Sequence, residues 1–232
     1  MNIEEYHTQI SDFTRLLRGV LSGVLPGNGG YFDVYGEEIP WKTNIEAEFP
    51  LRFNPPREPS RESGLYAARI RLGMGLSRSG EYLAVMQSSF ALLVGSAPVL
   101  RFDYEKVKDY HPAAHLHISG SGTWLSPALM INRPNQEARQ GKLEALHIPV
   151  GGHRFRPSVE EFLYFLIHEC GFEGRSGWRD ILADSRARWL RIQLGAAVRD
   201  DPREAAHILS DLGYAVIPPE GGHPQMAYHS VW

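Results

Sequence analysis

The stretch DYHPAAHLHIS, residues 109–119, concentrates side chains that could do chemistry. It holds three histidines, His111, His115 and His117, within seven residues. An imidazole can take or give a proton near neutral pH, and its neutral form binds transition metals. His115 and His117 alternate around Leu116, so in a β-strand both would lie on the same face. The spacing therefore favours a strand that presents two imidazoles side by side.

Two other segments with the period of a strand would add charged groups to the polar side of the same sheet. The segment LYAARIRLGMG, 65–75, alternates apolar residues with Arg69 and Arg71, and VLRFDYE, 99–105, does so with Arg101 and Asp103. A histidine can move a proton, an arginine can stabilise developing negative charge, and a carboxylate can orient a histidine. These are the parts needed to attack a phosphodiester. We therefore predict a catalytic group made of His115 and His117 as acid and base, Arg101 as charge stabiliser, and Asp103 as the residue that orients a histidine.

Three interpretations of the histidine pair remain open from the sequence. The histidines could be solvated on the exposed face of a sheet, they could catalyse without a metal, or they could bind one. Zinc hydrolases that begin His-x-His usually continue with Asp and His, whereas SGSG follows here. We expect no cofactor. If a metal were bound, His115 and His117 would hold it with His111 or Asp103 as the third ligand.

A glycine turn before a helix is a candidate phosphate site. In VGGHRFRPS, 150–158, two glycines allow close backbone approach, and basic side chains come just before a predicted helix start. The amide groups and dipole at the N-terminus of a helix favour an anion. We predict that phosphate is bound by Arg69, Arg71, Arg133, His153, Arg154 and Arg156.

The order of elements predicts an α+β fold in one domain, 1–232. An apolar stripe indicates an N-terminal helix over 1–25. An antiparallel sheet of about five to seven strands is expected over 45–150. An irregular stretch rich in proline follows the first helix and includes a long surface loop at 53–64. A helical segment at 158–213 would begin at a capping box of Ser158 and Glu161. Residues 214–232 are expected to form an irregular tail.

Some finer expectations concern the strands and the second C-terminal helix. EYLAVMQ, 81–87, and FALLV, 90–94, read as separate buried strands, and KLEALHIPV, 142–150, as a further one. The helix that starts near Trp178 should bury one stripe: Trp178, Leu182, Ser185, Trp189, Ile192 and Ala196.

Composition limits the class of protein. The chain has 232 residues, a formal net charge of −3 and one cysteine, Cys170. Intrachain disulfides and zinc sites built on cysteine are therefore excluded, and any contact with nucleic acid must come from a local basic face. The uncharged segment 82–100 is interrupted by polar residues and Pro98, so we expect no membrane span. Acids near the N-terminus, where a secretory signal carries bases, favour a cytoplasmic location.

The segment LRFDYEKVKDYHPAAHLHIS, 100–119, resembles the signature of small prokaryotic TumE-type toxin proteins. The resemblance rests on Arg101, Phe102 and Asp103, then on the His-Pro pair at 111–112 and the two histidines that follow. It covers about twenty residues; the chain is much longer, and its C-terminal helical third has no counterpart. It implies a bacterial setting, an antitoxin as protein partner, and nucleic acid or its replication as target.

These observations lead to three functional hypotheses. The first is a nuclease or phosphodiesterase, independent of metal, in a toxin–antitoxin or antiviral (phage-defence) system, with RNA or DNA as substrate. The second is a non-catalytic subunit of a larger complex, whose apolar helices and aromatic tail would be docking surfaces. The third is a metal-dependent hydrolase.

Overall fold

The computed structural model describes residues 1–26, 30–37, 41–52, 65–77, 79–106, 111–119, 147–151 and 154–222. The chain begins with helix α1 (Ile3–Val24) and continues through seven strands. Helix α2 (Val159–Tyr164) then runs into a π-helical turn (Phe165–Glu169). Helices α3 (Trp178–Asp200) and α4 (Pro202–Asp211) follow. This order confirms the predicted α+β class.

The strands form one antiparallel sheet in which each strand pairs with the next along the chain. Such a meander needs only short connections between neighbours, in keeping with the predicted run of sequential strands. The strands are β1 (Tyr31–Glu37), β2 (Lys42–Leu51), β3 (Tyr66–Leu76), β4 (Leu83–Val94), β5 (Ala97–Glu105), β6 (Ala114–Ile118) and β7 (Ile148–Pro149).

One face of the sheet carries the hydrophobic core. Alternate residues of β2, β3 and β4, such as Ile45, Ile70 and Phe90, are buried in the same cluster as Leu21 of α1 and Phe162 of α2. The predicted parity of β3 is confirmed, because its arginines point away from this core. The helices therefore cover one side of the sheet, and the charged side chains occupy the other.

Helix α2 starts where the sequence predicts. The Ser158 hydroxyl accepts a hydrogen bond from the Glu161 amide, and the Glu161 carboxylate accepts one from the Ser158 amide, which confirms the capping box. Glu160, the second residue of the helix, accepts a hydrogen bond from the Ser185 hydroxyl of α3 at 2.6 Å. These contacts set the position of α2, whose Phe162 packs against Phe102 of β5.

Two predictions about the strands are wrong. The sheet starts at Tyr31 rather than at residue 45, because β1 and β2 form a hairpin in the stretch expected to be irregular. Residues 83–94 form one continuous strand, since Ser88 and Ser89 keep their pairing with β3 and β5, and the break comes at the turn after Val94. Of the strand expected at 142–150, the described part contains β7, and residues 142–146 lie outside the described part of the chain. The expected loop at 53–64 lies outside it too.

The buried stripe predicted for α3 is only partly correct. Leu182 is buried, but Ile192 is exposed, and so are Leu194 and Val198. Helix α3 packs against α1 and α2, and its exposed apolar side chains lie in its second half. Exposed apolar side chains continue along α4 and the segment after it, which has neither helix nor strand over 214–222: Ile208, Leu209, Leu212, Tyr214 and Ile217.

The helices of the described residues do not combine the length and apolarity needed to cross a bilayer. The uncharged segment 82–100 lies instead in β4, the turn after it and the start of β5.

Candidate active site at a histidine cluster

Strands β5 and β6 bring the predicted catalytic residues together. In their antiparallel register Arg101 lies opposite His117, and Asp103 lies opposite His115. Residues directly opposite each other in such a pair point to the same face of the sheet. All four side chains therefore lie on the polar face, away from the helices.

Strand β7 adds a histidine that the sequence interpretation did not select. His115 pairs with Pro149 and Leu116 pairs with Ile148, so the same register extended by one residue sets His147 opposite His117. The His147 ring lies 4.7 Å from the His115 ring and 4.8 Å from the His117 ring, between centroids. The third imidazole thus comes from the residue just before β7, which is distant from His117 in the sequence.

His111 completes a group of four rings that we call the histidine cluster: His111, His115, His117 and His147. His111 precedes β6, and its ring stacks on His147 at 5.0 Å and meets the His115 ring edge-on at 4.7 Å. His115 and His117 are themselves 4.9 Å apart. Such mutual proximity of imidazoles makes it unfavourable for all four rings to carry a positive charge at once.

The cluster is enclosed. His115 is 2% exposed and His117 is 8% exposed, and His111 and His147 are half-buried. The interpretation of solvated histidines on an open sheet face is therefore wrong. The opposite face of β6 is less buried than the histidine face, and Ile118 on it is exposed. The hydrophobic core lies mainly against β2, β3 and β4, so it covers β6 less. Burial lowers the pKa of His115, which keeps its ring neutral near neutral pH.

Hydrogen bonds fix the orientation of two rings. The Pro112 carbonyl lies 2.8 Å from Nδ1 of His115 and 3.1 Å from Nδ1 of His111. A carbonyl oxygen only accepts, so both Nδ1 atoms donate, and a neutral ring then carries its lone pair on Nε2. The Nε2 of His111 lies 3.8 Å from a carboxylate oxygen of Glu105. One backbone carbonyl thus sets the tautomer of two members of the cluster.

Asp103 connects the cluster to two other polar groups. Its Oδ1 accepts a hydrogen bond from the Ser89 hydroxyl of β4 at 2.6 Å. Its Oδ2 lies 3.5 Å from Nε2 of His117 and 3.3 Å from the Arg101 guanidinium. The carboxylate is therefore held on one side by Ser89 and faces His117 and Arg101 on the other, which is the placement expected of a residue that orients a histidine.

A cavity of about 270 Å³ opens beside the cluster on the polar face. Arg101, Asp103 and Glu105 form its wall nearest to the histidines, and the remainder comes from four other strands. The lining there includes Tyr35, Asn44, Arg71, Gln87 and Ser89. A small polar molecule held in this cavity would reach Arg101 and the carboxylate that faces His117.

The predicted phosphate-binding residues that the structure describes do not join the cluster. Arg69 and Arg71 share the polar face but form ion pairs with Glu48 and Glu46 of β2, at 2.7 and 2.9 Å. Arg71 also lines the cavity, whereas Arg69 does not belong to its lining.

The two arginines before α2 serve other contacts. Arg154 forms an ion pair with Asp200 at the end of α3. Arg156 is buried and stacks over Tyr104, 4.0 Å from the ring centroid, and Tyr104 alternates with Asp103 onto the helical side of β5. Both are thus drawn into the packing of the helical layer. His153 and Arg133, the other two predicted phosphate ligands, lie outside the described residues.

His147 was missed because the sequence predicted a strand at 142–150 without an assignment of its side chains to either face of the sheet. In the predicted strand at 142–150, position 147 was a polar residue with strand parity, and this signal alone could have marked it. What the sequence did not reveal is the pairing of that strand with β6. No protein-family model, curated protein or solved structure was found to match this chain.

Proposed function

We propose that this chain hydrolyses phosphodiester bonds of nucleic acid and that the histidine cluster, with Arg101 and Asp103, is its catalytic centre. The observation that carries the proposal is the contact chain from Arg101 through Asp103 to His117, beside a cavity that opens to the polar face. A proton-transfer group, a carboxylate that orients it and a cation are needed for this reaction, and here they meet.

The reaction needs no reagent other than water. The water oxygen attacks phosphorus and gives up one proton, a bond forms between that oxygen and phosphorus, and the ester bond to the leaving oxygen breaks. The imidazole of the cluster that accepts the proton from the water gives it to the leaving oxygen, so atoms and charge balance. In this scheme the cluster activates the water, Asp103 positions His117, and Arg101 stabilises the negative charge that develops on the phosphoryl oxygens. The Arg101 side chain is 38% exposed, so a substrate in the cavity can contact it.

The choice of nucleic acid and of a bacterial toxin or phage-defence setting rests on the resemblance to TumE-type toxins around Arg101–His117. The same resemblance proposes an antitoxin as partner and a cytoplasmic location. The cavity supports the proposal in one respect, since beside the carboxylates of Asp103 and Glu105 its lining offers two arginines and several neutral hydrogen-bonding groups to a phosphate ester.

The replacement Arg101→Gln is expected to lower the cleavage rate by about 100-fold or more, because it removes the cation that faces the developing charge. The measurement is cleavage of end-labelled single-stranded RNA and DNA by the purified protein. Arg69→Gln is the matched control: it lies on the same face of the sheet, but its side chain pairs with Glu48 and does not line the cavity. We expect that variant to cleave at nearly the wild-type rate.

Each outcome of that assay bears on the proposal. Cleavage by the wild type and by Arg69→Gln, but not by Arg101→Gln, supports it. Equal cleavage by all three proteins would place the activity elsewhere, and no cleavage of either nucleic acid would remove phosphodiester hydrolysis as the function.

A second candidate function is that of a non-catalytic subunit in a multiprotein complex, and the surface of α3 and α4 favours it. Leu194, Leu212 and Ile217 are each more than 60% exposed, and large exposed apolar areas usually mark contacts with a partner. On this proposal the purified chain should self-associate as its concentration rises, which light scattering would measure. A chain that stays monomeric at high concentration would count against it.

A further inference from the structure

We propose that His115, His117 and His147 together bind one divalent transition-metal ion of the zinc type, with a coordination position left open for water. The inference rests on the proposed function only for the ion's role in hydrolysis. Binding itself follows from the positions of the three rings.

The geometry of the three rings fits one ion. Each of these histidines offers a ring nitrogen, and the three nitrogens all lie within 4.8 Å of one another. Zinc–nitrogen bonds are about 2.0–2.1 Å long, so each nitrogen would have to move inward by no more than about 1 Å. A small rotation of each imidazole about its side-chain bonds supplies such a movement without any change in the strands.

The surroundings of the rings match those of metal-bound histidines. Such a histidine usually donates its other ring N–H to a carbonyl or a carboxylate, which fixes the tautomer and makes the ligating nitrogen more basic. The Pro112 carbonyl accepts from Nδ1 of His115 in this way and leaves Nε2 as the lone-pair nitrogen. Asp103 lies beside His117, and the Ser89 hydroxyl holds Asp103 in place.

The identity of the ligands narrows the class of ion. Imidazole suits zinc, copper, iron and nickel, whereas magnesium and calcium prefer sites built from oxygen. Three protein ligands are typical of catalytic zinc sites, where the fourth position holds a water whose pKa is lowered to about 7. An ion here would therefore activate the attacking water by lowering its pKa, next to the positive charge of Arg101.

His111 is not assigned as a ligand, and neither is Asp103, although the sequence left these two as the alternatives for the third ligand. Among the described residues the group with metal-ligand spacing contains His147 in their place. His111 contacts the rings of His115 and His147, and its Nε2 faces Glu105 at 3.8 Å. It thus lines the proposed site next to its ligands.

The test is a titration of the metal-stripped protein with Co²⁺, followed by the visible absorption bands that tetrahedral cobalt acquires from nitrogen ligands. We expect one ion per chain and displacement by Zn²⁺. His147→Ala should weaken the affinity by at least about 100-fold, which exceeds the 10–100-fold typical of losing a residue that only orients a ligand. His168→Ala is the matched control, because His168 lies exposed on the π-helical turn, outside the cluster.

A second measurement on the wild-type chain avoids any doubt about folding of the variants. X-ray absorption of the zinc-loaded protein should show imidazole nitrogens at about 2.0–2.1 Å in a number close to three. Absence of a one-to-one site, or an equal loss of affinity in His147→Ala and His168→Ala, would overturn the proposal. Either result concerns metal binding alone. Cleavage that survives removal of metal would leave the proposed hydrolysis standing and overturn only the ion's role in it. Tight metal binding without cleavage would leave the metal site standing and overturn the proposed hydrolysis.

Discussion

Replacing both strand histidines, His115→Ala together with His117→Ala, is expected to lower the rate of nucleic-acid cleavage by about 10²–10⁴-fold. This range is what a positioned proton-transfer group contributes, and the loss is at least as large if the same rings hold a metal. The measurement is the initial rate of cleavage of labelled single-stranded RNA and DNA under conditions in which the wild type is linear.

The double variant must be shown to fold, because both rings are buried. Far-UV circular dichroism and a thermal melt would establish this. The control is the pair His168→Ala with His207→Ala, which removes two imidazoles that are exposed on the helical segment. We expect the control to cleave like the wild type, and a comparable loss in both double variants would contradict a catalytic role for the cluster.

Adding a chelator in the same experiment distinguishes cleavage through a bound metal ion from cleavage by proton transfer on the histidines alone. If the cluster works through a bound ion, prolonged chelation should reduce wild-type cleavage to the level of the double variant, and added Zn²⁺ should restore it. Cleavage that is insensitive to chelator but absent from the double variant would assign proton transfer to the histidines themselves.

The second large effect is expected on stability, from Phe162→Ala in helix α2. Phe162 is 0% exposed and its ring packs against those of Phe90 and Phe102, with centroids 6.0 and 5.7 Å away. Truncation of a buried phenylalanine to alanine costs about 3–5 kcal/mol, since it removes apolar contacts and leaves a cavity. We expect the free energy of unfolding, measured in urea, to fall by this amount.

Phe155→Ala is the matched control for that prediction. The Phe155 side chain is 73% exposed, so its removal should change the free energy of unfolding by less than about 0.5 kcal/mol. Phe162 also packs against the strand that carries Arg101 and Asp103, because Phe102 lies between these two residues on β5. A loss of stability no larger than that of Phe155→Ala would show that α2 does not hold β5 against the core.

Local patterns were enough to predict much of this fold. The parity of β3, β5 and β6 follows from the two-residue period of a strand, which each segment carries in its own sequence. The start of α2 follows from Ser158 and Glu161, which lie within one helical turn of each other. The α+β class follows from the order of such segments. These features depend on residues close in the chain, so the sequence determines them before any tertiary contact forms.

Pairing between distant segments decided the rest. His147 joins His117 only because β7 adds to β6, and the register of two strands depends on turn geometry and on burial of the whole sheet. The same applies to Arg69 and Arg71, which the hairpin of β1 and β2 supplies with glutamate partners. Burial was likewise a tertiary property. The alternation around Leu116 determines to which face of the sheet His115 points, whereas the packing of the folded chain buries its ring. The sequence by itself therefore determined which residues could do chemistry and which way they point, and the tertiary structure decided which of them meet.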